Sequence, residues 1–183
     1  LAIAFIPTGM LGLIFYDFVK TRLFGNELIV VSALLLGGIA LIAFEFLHKG
    51  EPVASSTITD ITYKQSLVVG TFQALAIIPG VSRSAATIVG GLLLGINRTV
   101  IVEFSFLLAV PTMLIATSFD LLQTKIIFAG ADILALGIGF VTAFAVALIA
   151  IKFLLTFVRE HTFIPFGIYR IVVACVFLVF FVL

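Results

Sequence analysis

Residues 79–87 read PGVSRSAAT and lie between two strongly apolar stretches, TFQALAII (71–78) before them and IVGGLLLG (88–95) after them. A charge at membrane depth costs at least about 2.5 kcal/mol, so an arginine in such surroundings is a candidate for a functional site. Pro79-Gly80 ends one helix, and Ser82 and Arg83 begin another. The segment therefore predicts a helix break inside a membrane, with polar groups gathered at the start of the second helix.

The composition of the chain indicates a helical membrane protein. The sequence is 63% hydrophobic and 10% charged, whereas soluble domains carry about 25% charged residues. The long continuous apolar runs are unlike the ten-residue alternation of a β-barrel. A net charge of +1 gives no electrostatic support for binding nucleic acid. The single cysteine, Cys175, and two distant histidines, His48 and His161, exclude a zinc site of the Cys/His type.

The apolar segments predict how the chain crosses the bilayer. A spanning helix needs about 20 apolar residues. Residues 63–96 are too long for one span, and the piece after Pro79-Gly80 is too short to cross the apolar core of about 30 Å, so two half-helices that enter and return are predicted. The prediction is an all-α polytopic membrane protein with one re-entrant hairpin and five spanning helices. The spans are 1–19, 28–47, 101–122, 133–158 and 163–183.

A polar stretch divides the chain. Residues 49–61 (KGEPVASSTITDI) form the only long polar segment and are interpreted as a linker. Residues 1–48 are then the end of a first repeat with two spans, and residues 62–183 are a second repeat with the hairpin 63–96 and three spans. This organisation is typical of inverted-repeat helical bundles. The chain opens inside an apolar segment without an initiator methionine, so we expect that it lacks its N-terminal part.

The helix break predicts an anion-binding site. A helix N-terminus offers unpaired N–H groups, and hydroxyls and a guanidinium add donors for phosphate oxygens. Gly80 shapes the turn, Ser82 caps the helix, and Arg83 points into a polar cavity. Ser84 and Thr87 are three residues apart and are expected to share a face. The alternative is a Pro-Gly kink whose arginine pairs with a buried carboxylate.

Other polar residues in apolar segments leave alternatives open. Gln73 either lines the same cavity or makes a helix–helix hydrogen bond. Glu103 pairs with Arg83, holds a cation, or lies at the headgroup boundary near Arg98, and its closeness to a loop favours the boundary. Arg170 is either the partner of a buried ion pair or reaches the membrane surface, and no role is assigned to it.

Three stretches carry a resemblance to a known family. GTFQALAIIPGVSRSAATIVGGLLLG (70–95), EFSFLLAVP (103–111) and FIPFGIYRIVV (163–173) resemble undecaprenyl-diphosphate phosphatase of the bacitracin-resistance type, and the resemblance covers essentially the whole chain. It implies removal of the terminal phosphate of undecaprenyl diphosphate, a polyprenyl diphosphate lipid. This reaction recycles the carrier lipid for peptidoglycan synthesis and confers bacitracin resistance. The resemblance also implies two inverted repeats in the bacterial cytoplasmic membrane with the active site toward the outer face, and a homodimer is a further expectation.

The resemblance also implies site residues. Arg83 matches the essential arginine of the family, and Ala85 stands where the family often has glycine. The family's first motif, a pair of glutamates spaced by three residues and followed by a Ser/Thr-rich turn and a histidine, is absent, so we expect this chain to be inactive alone. A divalent cation, Mg²⁺ or Ca²⁺, is implied without assigned ligands. The second motif falls on Pro79, Gly80, Ser82, Arg83, Ser84 and Thr87.

Three other classes of protein compete with this interpretation. A secondary transporter for an anionic substrate also uses inverted repeats and half-helix N-termini, and it is the main alternative. A lipid phosphatase of the acid-phosphatase type is disfavoured, because the next histidine after Arg83 is His161 and no PSGH block occurs. A purely structural membrane protein does not explain the donors around Arg83.

Overall fold

The computed structural model describes residues 1–48, 57–123 and 130–182. Every regular element within these ranges is helical, which confirms the predicted all-α class. Short turns of 3₁₀ or π-helix extend several of the helices. The α-helices are α1 (Ala2–Ile14), α2 (Tyr16–Phe18), α3 (Glu27–Leu47), α4 (Tyr63–Ala74), α5 (Arg83–Leu93), α6 (Arg98–Gln123), α7 (Gly130–Glu160) and α8 (Ile164–Phe177).

The predicted spans are all helical, but not all of them are straight or long. Helix α3, helix α6 and residues 133–158 of α7 are long and apolar enough to cross a membrane. The first predicted span is instead a pair of helices that bends by 64°, because the backbone leaves the helical region at Phe15 (φ −99°, ψ 8°). The last apolar helix, Ile164–Phe180, is shorter than the three long ones. Against about five predicted spans, the described residues contain three helices that are long and apolar enough to cross a membrane, or four if the bent pair counts as one.

The predicted hairpin is present, and its bend lies at the predicted place. Helix α4 has 12 residues and α5 has 11, so each is about 17–18 Å long and neither reaches across an apolar core of about 30 Å. The two half-helices pack against each other. Gly80 adopts φ +92° at the bend, and a Cβ atom there would lie 2.5 Å from the carbonyl oxygen of Val30 in α3. The turn is thus seated directly on the backbone of α3.

Helices on opposite sides of the predicted linker pack against each other. Helix α1 packs on α4, where Gly70 brings the backbone against the carbonyl of Ala4. Helix α3 packs on α8, where a Cβ on Gly38 would lie 2.8 Å from the carbonyl oxygen of Gly167. Residues 49–56 of the predicted linker lie outside the described residues, and Thr57 begins a short 3₁₀ turn. The division into two repeats stays a prediction.

The core lies around the hairpin, whereas much of α7 is exposed. Val69 of α4 and both Ile101 and Leu108 of α6 are fully buried. In α7 every described side chain from 133 to 150 is exposed, and nearly all of these side chains are apolar. An exposed apolar helix is stable in lipid but not in water, so this face is what a membrane protein presents to hydrocarbon.

Candidate anion site at the helix break

The start of α5 forms as the sequence predicts. The Oγ of Ser82 accepts a hydrogen bond from the backbone N–H of Ala85 at 3.2 Å, and α5 begins at Arg83. Serine is a preferred N-cap because its side chain satisfies one of the N–H groups that the first helical turn leaves unpaired. The remaining N–H groups of this turn give the helix end a positive potential.

Arg83 is a partly buried cation without a carboxylate partner in the described part of the chain. Its Nη1 atom is buried and has no hydrogen-bond partner there. The ion pairs among the described residues join Lys20 to Asp120 and Arg98 to Glu45. The alternative that Arg83 is neutralised by a buried carboxylate is therefore not found within the described ranges. A buried guanidinium in this state is a strong donor for an anion.

A second arginine, Arg170 of α8, holds the turn from the other side. Its Nη2 atom donates to the carbonyl oxygen of Gly80 at 2.9 Å and to that of Ala33 in α3 at 3.2 Å. The guanidinium passes over Gly37, where any side chain would collide with it. Arg170 is therefore buried and forms no ion pair among the described residues, and its observed partners, two backbone carbonyls, match neither sequence-based alternative. Its only signal in the sequence was a charge within the apolar segment that begins at Phe163.

A cavity of about 370 Å³ opens behind the turn. Its polar lining comes from Gly80, Ser82, Ser84 and Arg170, whereas Arg83 does not line it. Successive helical residues point about 100° apart, which explains how Arg83 can face away from a cavity that its two serine neighbours share. The rest of the wall is apolar or aromatic and includes Leu41, Ile88, Val102, Val158, Phe166 and Tyr169.

The prediction that Arg83 points into this cavity is therefore wrong, and two further predicted site residues are also turned away from it. Thr87 is fully buried, and its hydroxyl donates to the carbonyl oxygen of Arg83 at 2.8 Å within the same helix. It does not line the cavity together with Ser84. Its hydroxyl bonds to its own helix, as a buried hydroxyl does when no other acceptor is close. Gln73 donates to the hydroxyls of Thr8 at 3.0 Å and Thr112 at 3.3 Å. Of its two alternatives, the helix–helix hydrogen bond is the one formed, and Gln73 does not line the cavity.

Arg98 and Glu45 form a second buried polar contact at the start of α6. Their side chains approach to 2.5 Å, and the Glu45 side chain is only 6% exposed. The guanidinium of Arg98 also lies 4.7 Å from the ring centre of Phe163, a cation–π arrangement. Glu103 is partly buried further along α6 and takes part in neither ion pair of the described residues. Arg98 therefore joins α3, α6 and the start of α8.

The residues around the break do not by themselves fit a divalent cation. Mg²⁺ and Ca²⁺ take oxygen ligands, chiefly carboxylates. The described residues contain no group of three His, Cys, Asp or Glu side chains that could hold a metal ion. The charged residue on the cavity wall is Arg170, which would repel a cation. The divalent cation that the resemblance implies stays a prediction.

Taken together, these groups form a candidate anion-binding site in an integral membrane protein. Two guanidiniums, a capped helix N-terminus and the hydroxyls of Ser82 and Ser84 meet at one break between half-helices. Only a molecule with negative charge complements such a set of donors, and the apolar wall of the cavity adds affinity for hydrocarbon.

The chain belongs to the bacitracin resistance protein BacA family, whose sequence model matches residues 1–176. This confirms the resemblance. The undecaprenyl-diphosphatase of Wolinella succinogenes is 52% identical over 97% of this chain and 69% of its own length. The enzyme of the same name from Campylobacter jejuni is 47% identical over 97% of this chain and 66% of its own length, and that from Aquifex aeolicus is 44% identical over 97% and 69%. The chain thus spans about two thirds of the length of these relatives.

Proposed function

We propose that the protein is an undecaprenyl-diphosphatase, which hydrolyses undecaprenyl diphosphate to undecaprenyl phosphate and inorganic phosphate. The relatives that cover nearly the whole chain carry this name. The structural observation that supports it is the partly buried guanidinium of Arg83 at the capped start of α5, whose buried Nη1 atom has no hydrogen-bond partner among the described residues. The named relatives give no support to the alternative of an anion transporter.

Arg83 acts in this proposal as the catalytic residue that binds the terminal phosphate. Water adds to the terminal phosphorus, the bond from that phosphorus to the bridging oxygen breaks, and the lipid monophosphate leaves with the electron pair of that bond. Charge spreads over the phosphoryl oxygens in the transition state, where a guanidinium and a helix N-terminus stabilise it most. Gly80, Ser82 and Ser84 supply the backbone turn and the hydroxyls beside it. The group that activates the water is assigned to no described residue.

Thr87 enters the proposal in a different role from the one expected from the sequence. Its hydroxyl is engaged by the carbonyl oxygen of Arg83, so it supports the first turn of α5 instead of binding phosphate. Gln73 likewise supports the hairpin through α1 and α6. Both residues therefore act on the position of Arg83 and not on the substrate.

The proposed location is the bacterial cytoplasmic membrane, with the site open toward its outer face. The apolar helices support an integral membrane protein, and the family supports the rest of this assignment. An impermeant thiol reagent applied to intact cells should label a Ser82→Cys variant in a background that carries Cys175→Ala. Labelling that occurs only after the cells are broken would contradict the orientation. The homodimer and the divalent cation stay predictions.

Phosphate release from a long-chain polyprenyl diphosphate in detergent tests the proposed activity. The complete gene product that contains this chain is compared with Arg83→Ala and with Arg22→Ala, whose arginine is exposed and does not line the cavity at the break. Loss of one electrostatic donor to a transition state lowers kcat by about 10²–10³-fold, so we expect that loss for Arg83→Ala and an unchanged rate for Arg22→Ala. If the complete gene product is folded and releases no phosphate but takes up anions in liposomes, the phosphatase proposal is wrong and the transporter is favoured.

A further inference from the structure

Arg170 is a buried cation whose charge is not neutralised within the described residues. Its side chain is 8% exposed, and neither of the ion pairs found there includes it. Both of its hydrogen bonds use Nη2 and end on carbonyl oxygens, those of Gly80 and Ala33. The Nε atom is buried without a partner among the described residues. Carbonyl dipoles offset part of the desolvation of a guanidinium but leave its charge unbalanced.

The fold holds this cation at a defined position. Gly37 leaves a gap on α3, and a side chain at that position would collide with the guanidinium. Gly38 and Gly167 allow the backbones of α3 and α8 to approach closely enough for Arg170 to reach the turn. A charge at membrane depth is costly and usually marks a substrate or ion pathway. A guanidinium held in a gap of the packing is thus a candidate ligand for a molecule in the adjacent cavity.

The cavity beside Arg170 is lined mainly by apolar side chains and by a few polar ones. Ser82, Ser84 and Arg170 supply polar groups, and side chains such as Ile88 and Val158 supply the apolar wall. Its volume of about 370 Å³ lies near the lower end of the range of about 300–1,000 Å³ that ligand sites occupy. The cavity therefore has room for a phosphate and the first part of a hydrocarbon chain, and the rest of a long chain would lie in the bilayer.

The two arginines occupy different sides of the break, since Arg170 lines this cavity and Arg83 does not. Two separate cations complement two anionic groups, and a diphosphate carries two phosphates joined by one oxygen. The side with the apolar wall is the side on which a lipid chain is stabilised.

We propose that the cavity is a binding site for the lipid-proximal phosphate of the substrate and the first units of its polyprenyl chain. Arg170, Ser82 and Ser84 contact that phosphate, and the terminal phosphate lies at Arg83. This inference rests on the proposed function and adds to it the orientation of the substrate. It predicts that the lipid monophosphate product retains its contacts with Arg170, whereas inorganic phosphate retains its contacts with Arg83.

Product inhibition separates these two halves of the site. Undecaprenyl phosphate and inorganic phosphate are each used as inhibitors of phosphate release by the complete gene product, by Arg170→Met and by Ala85→Leu. Hydrogen bonds to charged groups contribute enough to affinity that removing them weakens binding by about 10- to 100-fold. We expect that weakening for undecaprenyl phosphate in Arg170→Met, with inhibition by inorganic phosphate changed by less than about 2-fold. Ala85→Leu keeps the guanidinium but fills part of the cavity, so it should weaken inhibition by the lipid alone.

Each outcome decides the proposal. Equal weakening of both inhibitors in Arg170→Met would show that Arg170 only braces the turn, and unchanged lipid inhibition in both variants would show that the cavity is not the lipid site. Either result overturns the proposal and leaves the proposed activity standing. If Arg170→Met does not fold, the comparison is made with Arg170→Lys and Ala85→Leu. If the unmodified protein releases no phosphate, the site is tested separately by direct binding of undecaprenyl phosphate, followed by its ³¹P resonance. Shifts of this resonance that require Arg170 support the proposed site. Shifts that occur equally without Arg170 overturn it.

Discussion

Replacing Gly80 by alanine tests whether the Pro-Gly turn is seated on α3. Gly80 has φ +92°, a left-handed conformation that costs an L-residue about 1–2 kcal/mol. The added Cβ atom would lie 2.5 Å from the carbonyl oxygen of Val30 and 2.9 Å from the Cβ atom of Ala33. Overpacking of this kind costs about 1–3 kcal/mol. We therefore expect Gly80→Ala to lower the free energy of unfolding by about 2–5 kcal/mol.

Thermal unfolding in detergent, followed by circular dichroism, measures this effect. In a chain of this size each kcal/mol shifts Tm by about 2–4 °C, so the expected decrease is about 4–20 °C. Gly137→Ala is the matched control, because Gly137 lies in α7 without a positive φ, and a Cβ atom added there would meet no atom within 4 Å among the described residues. Alanine is favoured over glycine in a helix by about 0.5–1 kcal/mol, so this control should melt at the same temperature as the parent or slightly higher.

The same variant has an expected effect on activity. Moving the Gly80 carbonyl weakens its hydrogen bond from Arg170 and displaces the start of α5, where Arg83 lies. Phosphate release by Gly80→Ala should therefore fall even at temperatures at which the variant is fully folded. If Gly80→Ala melts within about 2 °C of Gly137→Ala and keeps full activity, the close contact between the turn and α3 is refuted.

Two further predictions concern buried polar contacts. Gln73→Leu removes two interhelical hydrogen bonds, each contributing about 0.6 kcal/mol in membranes, so Tm should fall by about 2–5 °C. Thr71→Val removes only a bond within α4 and should leave Tm almost unchanged, so equal decreases would contradict the assignment. Arg98→Ala leaves the Glu45 carboxylate buried without its partner and should cost about 3–5 kcal/mol. Lys20→Ala removes an exposed ion pair and should cost less than about 1 kcal/mol, so a similar loss of stability in the two variants would show that the Arg98 pair is not buried as described.

The hairpin could be predicted from the sequence because local rules determine it. Proline followed by glycine ends a helix, serine caps the next, and the length of each piece decides whether it can span the bilayer. The direction of individual side chains could not be predicted in the same way. The three-residue spacing places Thr87 on the face of Ser84, but a rotation set by packing buries it and leaves its own helix as the acceptor.

Contacts between residues that are far apart in the chain could not be predicted from the sequence either. Gln73 meets Thr8 and Thr112 only because α1 and α6 both come close to the same side chain of α4. The role of Arg170 could not be assigned because its partners are backbone carbonyls, and every residue has one whatever its type. The gap at Gly37 that receives its guanidinium becomes visible only when α3 and α8 are packed together.

The hydrogen bond between Arg170 and the Ala33 carbonyl has a consequence for biosynthesis, since 137 residues separate its two ends. A ribosome adds about 5–20 residues per second, so α3 waits about 7–27 s before the helix that carries its partner has been made. During that interval the gap at Gly37 lacks the guanidinium that fills it in the folded protein. Helix α8 is therefore needed to complete the candidate anion site, and the order of synthesis delays assembly of this site until α8 has entered the membrane.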